Sequence, residues 1–349
     1  MNQRGAESSG TPPAAPFSDT AAPPPAAVTG LAGRSRLFAR LMPFNSPVWW
    51  ARSPRLAEWT RRWIPLPEPS VLVLSLPRSG SSWVGETLGF ARDAAYLREP
   101  VTQTYMMRVR REGPSFFELR PGTLPPGYRL AADSAFRGIP RFHRGIVTRP
   151  DQWRVRGLAN RRVVVKEVNP LAAGWLIRKF HPRVIYLFRH PAAVAGSFHR
   201  LGWTGEQLES RFSAETLRSR FAGYERFRGS FWAQHGAMQA AVLTLVLEEL
   251  AGRPDCRFVY YEELCAEPLR VFRELFDFAG LAWEAAIEAK ISAHSRDGTA
   301  SRADRYSTAR RSAEMTDVWR RDLSGAAISD VRAGFLAYPQ KLYSGPEHW

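Results

Sequence analysis

From residue 70 onward, short apolar runs alternate with stretches in which apolar positions recur every three to four residues. The runs Val71–Leu74, Arg162–Val165, Val184–Phe188 and Arg257–Tyr260 lack polar alternation. Strands of that kind are buried on both faces, as in a parallel sheet covered by helices. A further short strand is expected near Tyr96. The 3.6-residue pattern predicts helices at Trp83–Ala91, Ala172–Phe180, Ala192–Leu201, Glu215–His235, Met238–Ala251 and Pro268–Ala279. The fold class that follows is α/β, with a central, mostly parallel sheet.

The flanks have a different texture. Residues 1–33 are rich in Pro, Ala, Gly, Ser and Thr and lack the apolar content to build a core, so they are read as a disordered tail. In residues 34–69 arginines (Arg34, Arg36, Arg40, Arg52, Arg55, Arg61, Arg62) interleave with Phe38, Trp49, Trp50, Trp59 and Trp63. This basic aromatic extension fits a membrane surface or an acidic partner, or packing against the main domain with its arginines in solvent. Residues 100–160, rich in Arg, Gly and Pro, read as an insertion with short helices, such as 102–111, that suits substrate binding. Residues 295–315 read as a second polar, Arg-rich loop.

Composition narrows the classes. Over 349 residues, 49 Lys and Arg against 33 Asp and Glu give a net charge of +16. Such an excess suits an anionic ligand or surface, or is a general Arg-rich surface. Cys256 and Cys265 are the only cysteines and supply neither a disulfide framework nor a metal-ligand spacing. No apolar run approaches the roughly 18 residues of a spanning helix, and the N-terminus lacks the apolar core of a signal peptide. A cytoplasmic location is the expectation, with peripheral association at a membrane as an addition.

The most informative segment joins the first strand to its helix: Leu76-Pro77-Arg78-Ser79-Gly80-Ser81-Ser82-Trp83. Backbone N–H groups at such a turn form an anion nest, reinforced by the helix dipole. Gly80 allows close approach, three serines offer hydroxyls and Arg78 brings a fixed charge. A nucleoside triphosphatase loop needs G-x-x-x-x-G-K-[ST]. Here the first Gly position is not Gly, and no Lys follows Gly80. The strand-end Asp that holds magnesium in those enzymes is also missing: Val184–Phe188 ends in Arg189, and Arg162–Val165 ends in Lys166-Glu167, where only Glu167 offers a ligand. A kinase or ATPase is therefore the minor alternative, and no metal site is expected.

In open α/β sheets ligands bind beyond the C-terminal strand ends. Arg78–Ser82, Arg98-Glu99-Pro100, Lys166 and Arg189-His190-Pro191 all fall there, and the helix after Arg189 carries Ser197. Several cations at one edge imply a ligand with several negative charges.

Together these segments resemble the sulfotransferase superfamily that uses 3′-phosphoadenosine-5′-phosphosulfate (PAPS), over roughly residues 70–340. LPRSGSSW resembles the 5′-phosphosulfate loop of the carbohydrate and tyrosylprotein branches, and YLFRHPAAVAGSF the 3′-phosphate motif. FVYYEELCAEPLRVF is similar to a later motif of form Y-E-D-L-x-x-x-P, with Glu263 in place of Asp. MTDVWRRDLS is similar to a C-terminal W-R-x-x-L segment of carbohydrate-type members. The resemblance implies a P-loop-like three-layer α/β/α fold and metal-free sulfuryl transfer to a hydroxyl acceptor. It places Arg78, Ser79, Gly80, Ser81, Ser82 and Trp83 at the 5′-phosphosulfate, with Lys166 at the departing phosphate oxygen. It places Arg189 and Ser197 at the 3′-phosphate. Tyr261 is either near the adenine or a buried strand-end residue.

One of Arg302, Arg305, Ser307, Arg310 and Arg311 would close over the nucleotide, with Ser307 and Arg311 chosen. Glu99 is the expected general base, because LREP resembles the Glu-Pro pair of the carbohydrate branch and no K-x-H pattern follows the Lys166 strand. The acceptor implied is a sugar or glycolipid, with a hydroxylated natural product as the alternative. Tyr105, Phe116, Phe117, Trp153 and Trp203 are candidates for stacking on a sugar, or core residues. No nucleic-acid partner is expected. A non-enzymatic polyanion- or membrane-binding protein is the remaining alternative.

Overall fold

The computed structural model describes residues 47–109, 114–120, 122, 124–139, 145–204, 208–296, 316–339 and 341–349. Among these, five strands form one parallel sheet: β1 (Val71–Ser75), β2 (Ala94–Arg98), β3 (Arg162–Glu167), β4 (Arg183–Phe188) and β5 (Cys256–Tyr260), in the spatial order β2-β3-β1-β4-β5. The chain leaves β1 for the outer strand β2, returns through β3, then crosses to β4 on the other side. The end of β1 is thus the switch point where a crevice opens.

Successive residues of a strand face opposite sides, and each side of this sheet has its own core. Leu72, Leu74, Val163, Val165, Val184 and Tyr186 face one side. There they meet α5 (Ala173–Phe180) and α8 (Phe231–Leu250). Val71, Val73, Val164, Ile185 and Leu187 face the other, under α2 (Ser81–Leu88) and α10 (Pro268–Ala279). Full burial of each such side chain contributes about 1.5–3 kcal/mol. The apolar, non-alternating strands are therefore explained by helices on both faces. Glycine opens one of these contacts: a Cβ on Gly85 of α2 would lie 3.0 Å from the Lys166 Cβ and Cγ and 2.9 Å from the Tyr96 hydroxyl.

Two expectations change. The predicted helix Glu215–His235 divides into α7 (Ala214–Arg220), a 3₁₀ turn at Tyr224–Phe227 and the start of α8. Gly223 takes a left-handed conformation (φ 78°), and the Ser230 hydroxyl accepts the Ala233 N–H to begin α8. The expected break near Gly236 does not occur. A Cβ at Gly236 would collide with the Val331 carbonyl, and one at Gly334 with the Ala233 carbonyl. These glycines let α8 and α13 (Gly325–Phe335) cross backbone to backbone.

Pro47–Trp349 forms one compact unit, so residues 47–69 are part of the main body. Trp50 is fully buried and donates its indole N–H to the Trp153 carbonyl (2.9 Å). Helix α1 (Pro54–Trp63) buries Ala57 and Thr60 yet leaves Trp59 and Trp63 60% and 68% exposed. The arginines at 34, 36 and 40 lie outside the described residues.

Candidate active site

The C-terminal edge of the sheet gathers most of the expected residues. Registers Val73↔Lys166, Arg98↔Lys166 and Ser75↔Leu187 bring the ends of β2, β3, β1 and β4 close to one level. Across the edge stand Glu99 after β2, Lys166 in β3, the loop after β1, Arg189 after β4 and Tyr261 after β5. Neighbouring strands are about 4.8 Å apart, so the row spans about 19 Å.

The loop after β1 is held from beneath. The Ser75 hydroxyl, fully buried, donates to the Leu76 carbonyl (2.7 Å) and shares a hydrogen bond with the Ser81 hydroxyl (2.8 Å). Arg78 and Gly80 both have positive φ, 70° and 94°. A Cβ at Gly80 would also overlap the Tyr261 ring, so that ring roofs the turn and only glycine fits there. The first helical bond runs from the Trp83 N–H to the Gly80 carbonyl (3.0 Å), so the N–H groups of Ser81 and Ser82 precede the helical ladder of α2. Ser79 and Ser81 are buried and Ser82 half-buried around them. Trp83 is not brought to this loop: its ring stacks on His294 (4.5 Å) and meets Phe272 edge-on (5.3 Å) in the core.

Arg78 is joined to residues that follow β4. The Arg78 Nε donates to the Ser197 hydroxyl (2.9 Å), and an Arg189 guanidinium N–H donates to the Arg78 carbonyl (2.9 Å). The Arg189 guanidinium lies 4.5 Å from the Tyr261 ring centre, a cation–π contact. Ser197 sits on α6 (Pro191–Arg200), buried, two turns beyond Arg189. His190 starts that helix, accepting the Ala192 N–H, and stacks on Trp319 at 4.1 Å. Burial holds its pKa down at about 3, so it stays neutral. Glu262 binds the His190 N–H and the Tyr343 hydroxyl at 2.9 and 2.8 Å, which fixes the strand end to the C-terminal segment. Within Tyr261-Glu262-Glu263-Leu264, Glu262 therefore braces the strand end, while the Glu263 carboxylate pairs with Arg270 (2.6 Å).

At the other end, Lys166 is 2% exposed, its stem running under Gly85 to place Nζ 2.5 Å from a Glu99 carboxylate oxygen. Burial alone would raise the Glu99 pKa. The adjacent ammonium, its hydrogen bond and Arg98 outweigh that and hold the carboxyl below its ordinary value. Glu99 has φ 49° and ψ 44°, and its N–H donates to the Lys166 carbonyl (2.6 Å). Glu167, the only magnesium ligand the sequence offered, is fully buried. Its two oxygens accept the Val101 N–H (2.6 Å) and the Thr102 hydroxyl (2.6 Å) at the start of α3 (Pro100–Arg108). Burial pushes its pKa up to about 7 against those hydrogen bonds. Among the described residues no cluster of His, Cys, Asp or Glu fits a metal ion. Ser307 and Arg311, with Arg302, Arg305 and Arg310, lie outside the described residues.

Of the aromatics offered for sugar stacking, Phe116 and Trp153 are fully buried. Tyr105 and Phe117 pack on each other at 5.2 Å and on Tyr128, and Trp203 meets Phe198 edge-on. A groove of about 1420 Å³ lies at the opposite sheet edge, by Ser70, Val163 and His181. Size does not select the site in this fold; the strand C-termini do.

Residues 69–285 match the model of the Sulfotransferase family. The chain belongs to this family and is a sulfotransferase. No curated protein matches it. Among solved structures it is similar to the sulfotransferase domain of the Synechococcus PCC 7002 olefin synthase: 17% identity, 79% of this chain and 97% of that one, TM-score 0.42. It is also similar to STF1 of Mycobacterium tuberculosis H37Rv, at 16% identity over 83% of this chain and 84% of that one, TM-score 0.38. A mouse sulfotransferase complexed with PAP matches at 15% identity over 79% and 83%, TM-score 0.34. Among the described residues no helix is long and apolar enough to cross a membrane.

Proposed function

We propose that this sulfotransferase moves the sulfuryl group of PAPS to a hydroxyl of a sugar or glycolipid, with Glu99 as general base. The Lys166–Glu99 pair beside an anion-binding loop supports this reading most strongly. Ser79 to Ser82 and Arg78 bind the 5′-phosphosulfate, and Arg189 and Ser197 bind the 3′-phosphate. A guanidinium suits that dianion because it donates two parallel hydrogen bonds. Tyr261 lies beside the nucleotide, over Gly80. The acceptor oxygen forms its bond to sulfur while the bond from sulfur to the 5′-phosphate oxygen breaks. The acceptor proton passes to Glu99, and adenosine 3′,5′-bisphosphate leaves with its charge met by Lys166.

The pair also implies an order. While Lys166 holds Glu99, the carboxylate is a weak base. A bound phosphosulfate draws the ammonium away, and burial then strengthens the base. Incubating the protein with ³⁵S-labelled PAPS and an extract of the source organism tests the acceptor class. Label in polysaccharide or glycolipid supports it; label confined to small hydroxylated metabolites replaces it with the natural-product reading. No labelled product and no released sulfate contradict PAPS as donor.

A second property is favoured by α1. Arg55, Trp59, Arg62 and Trp63 share its exposed arc. Exposed indoles beside arginines fit the interface of an anionic bilayer, which supports peripheral membrane association.

A further inference from the structure

Helix α3 begins in an unusual way. Glu99 occupies the position whose side chain ordinarily accepts an N–H of the first helical turn, yet its side chain makes no such bond. The carboxylate reaches Lys166 instead. The capping task has passed to Glu167 on the neighbouring strand, which accepts the Val101 N–H, the Thr102 N–H and the Thr102 hydroxyl. Residues 99–102 are therefore held by β3 at successive points: Glu99 N–H on the Lys166 carbonyl, then Val101 and Thr102 on Glu167. Each of these groups is buried or half-buried.

We propose that Glu167 and Thr102 form a clasp that positions Glu99 for proton removal, a role that rests on the reading of Glu99 as the base. A left-handed conformation costs a non-glycine residue of order 1–3 kcal/mol and persists only where its surroundings fix it. The clasp fixes it, because the turn at Glu99 cannot relax without releasing the start of α3 from Glu167. Glu167 itself cannot serve as the base. It is fully buried, and both its oxygens are taken by α3. Two carboxylates at neighbouring strand ends thus divide the work: Glu167 supplies the cap, and Glu99, relieved of that task, faces the site. Thr102 is the separable half of the clasp, since Thr102→Val removes one hydroxyl at nearly constant volume.

The test is turnover of ³⁵S-labelled PAPS, summed over sulfate released to water and label transferred to acceptors in an extract of the source organism. It is measured in wild type, T102V, T102S, E99Q and the E99Q/T102V double variant. T102V is expected to lower kcat about 10-fold, a loss typical of slight misplacement of a reacting group. Its Kd for adenosine 3′,5′-bisphosphate stays at the wild-type value, and T102S restores the rate. In the E99Q background T102V adds nothing further, because the clasp acts only through Glu99. E167Q repeats the pattern if T102V fails to fold. A T102V rate equal to wild type, or an equal loss in both backgrounds, overturns the clasp alone. An E99Q protein at the wild-type rate overturns the base and the clasp together.

Discussion

The two ends of the sheet edge hold their cations in opposite ways. On the β1–β4–β5 side, the described contacts of Arg78 and Arg189 are to a hydroxyl, a main-chain carbonyl and a ring face. On the β2–β3 side, Lys166 holds a carboxylate in a nearly closed pocket. A hydroxyl, a carbonyl and a ring face yield to a phosphate at less electrostatic cost than a carboxylate does, so these described contacts suit the proposed binding role. A buried ion pair must be broken, and breaking it changes the proton affinity of Glu99. The second side is suited to chemistry that begins only when an anion has arrived.

That contrast can be broken in graded ways. The largest expected effect is on rate: Glu99→Gln should lower kcat by about 1000-fold, within the range of general-base catalysis, with nucleotide affinity undiminished, because Lys166 no longer has to leave a carboxylate. A parallel loss of affinity would place Glu99 on the binding side. Next, Ser197→Ala should weaken adenosine 3′,5′-bisphosphate by about 10-fold, as expected for a hydrogen bond to a charged group, and leave the pKa of Glu99 unmoved.

Lys166→Met sharpens the other side. Without the ammonium, burial prevails and the Glu99 pKa should rise, as read by NMR titration of ¹³C-labelled glutamate. A carboxyl held below its ordinary 4.5 stabilises the fold above that value and loses this contribution as pH falls through its lowered pKa. The Lys166→Met protein should lack that acid-limb contribution. An unchanged Glu99 titration would show that the pair is not what sets it.

The smallest effect concerns the surface remote from both sides. Trp59→Ala with Trp63→Ala should reduce binding to phosphatidylglycerol vesicles by about 10-fold and leave nucleotide affinity intact. Each indole anchors at a bilayer interface through its amphipathic ring. Equal vesicle binding would remove α1 as the contact.

The proposed binding side was legible in the sequence as a pattern because its residues are local. A strand, a glycine turn and a helix follow one another in 13 residues, and Arg189 precedes Ser197 by eight on one strand–helix unit. The chemical side was only partly legible. Glu99 and Lys166 could be placed at strand ends, but 67 residues separate them, and only the register of β2 on β3 shows that they touch. The task of Glu167 was hidden for the same reason: a cap supplied from another strand leaves no local pattern. Gly236 misled in the opposite direction. A glycine in an apolar helix reads as a break, whereas its missing side chain admits the Val331 backbone of α13. Trp83 follows the loop in sequence, but α2 turns its ring into the core.

The central claim is that this edge binds a 3′-phosphorylated nucleotide on one side and removes a proton on the other. Calorimetric titration of adenosine 3′,5′-bisphosphate and 5′-AMP into wild type, Arg189→Ala and Glu99→Gln tests it most directly. Wild type and Glu99→Gln should bind the bisphosphate about 100-fold more tightly than 5′-AMP, the scale of a bidentate charged contact, and Arg189→Ala should lose that preference. Equal affinities for the two nucleotides in wild type, or an undiminished preference in Arg189→Ala, would contradict the account.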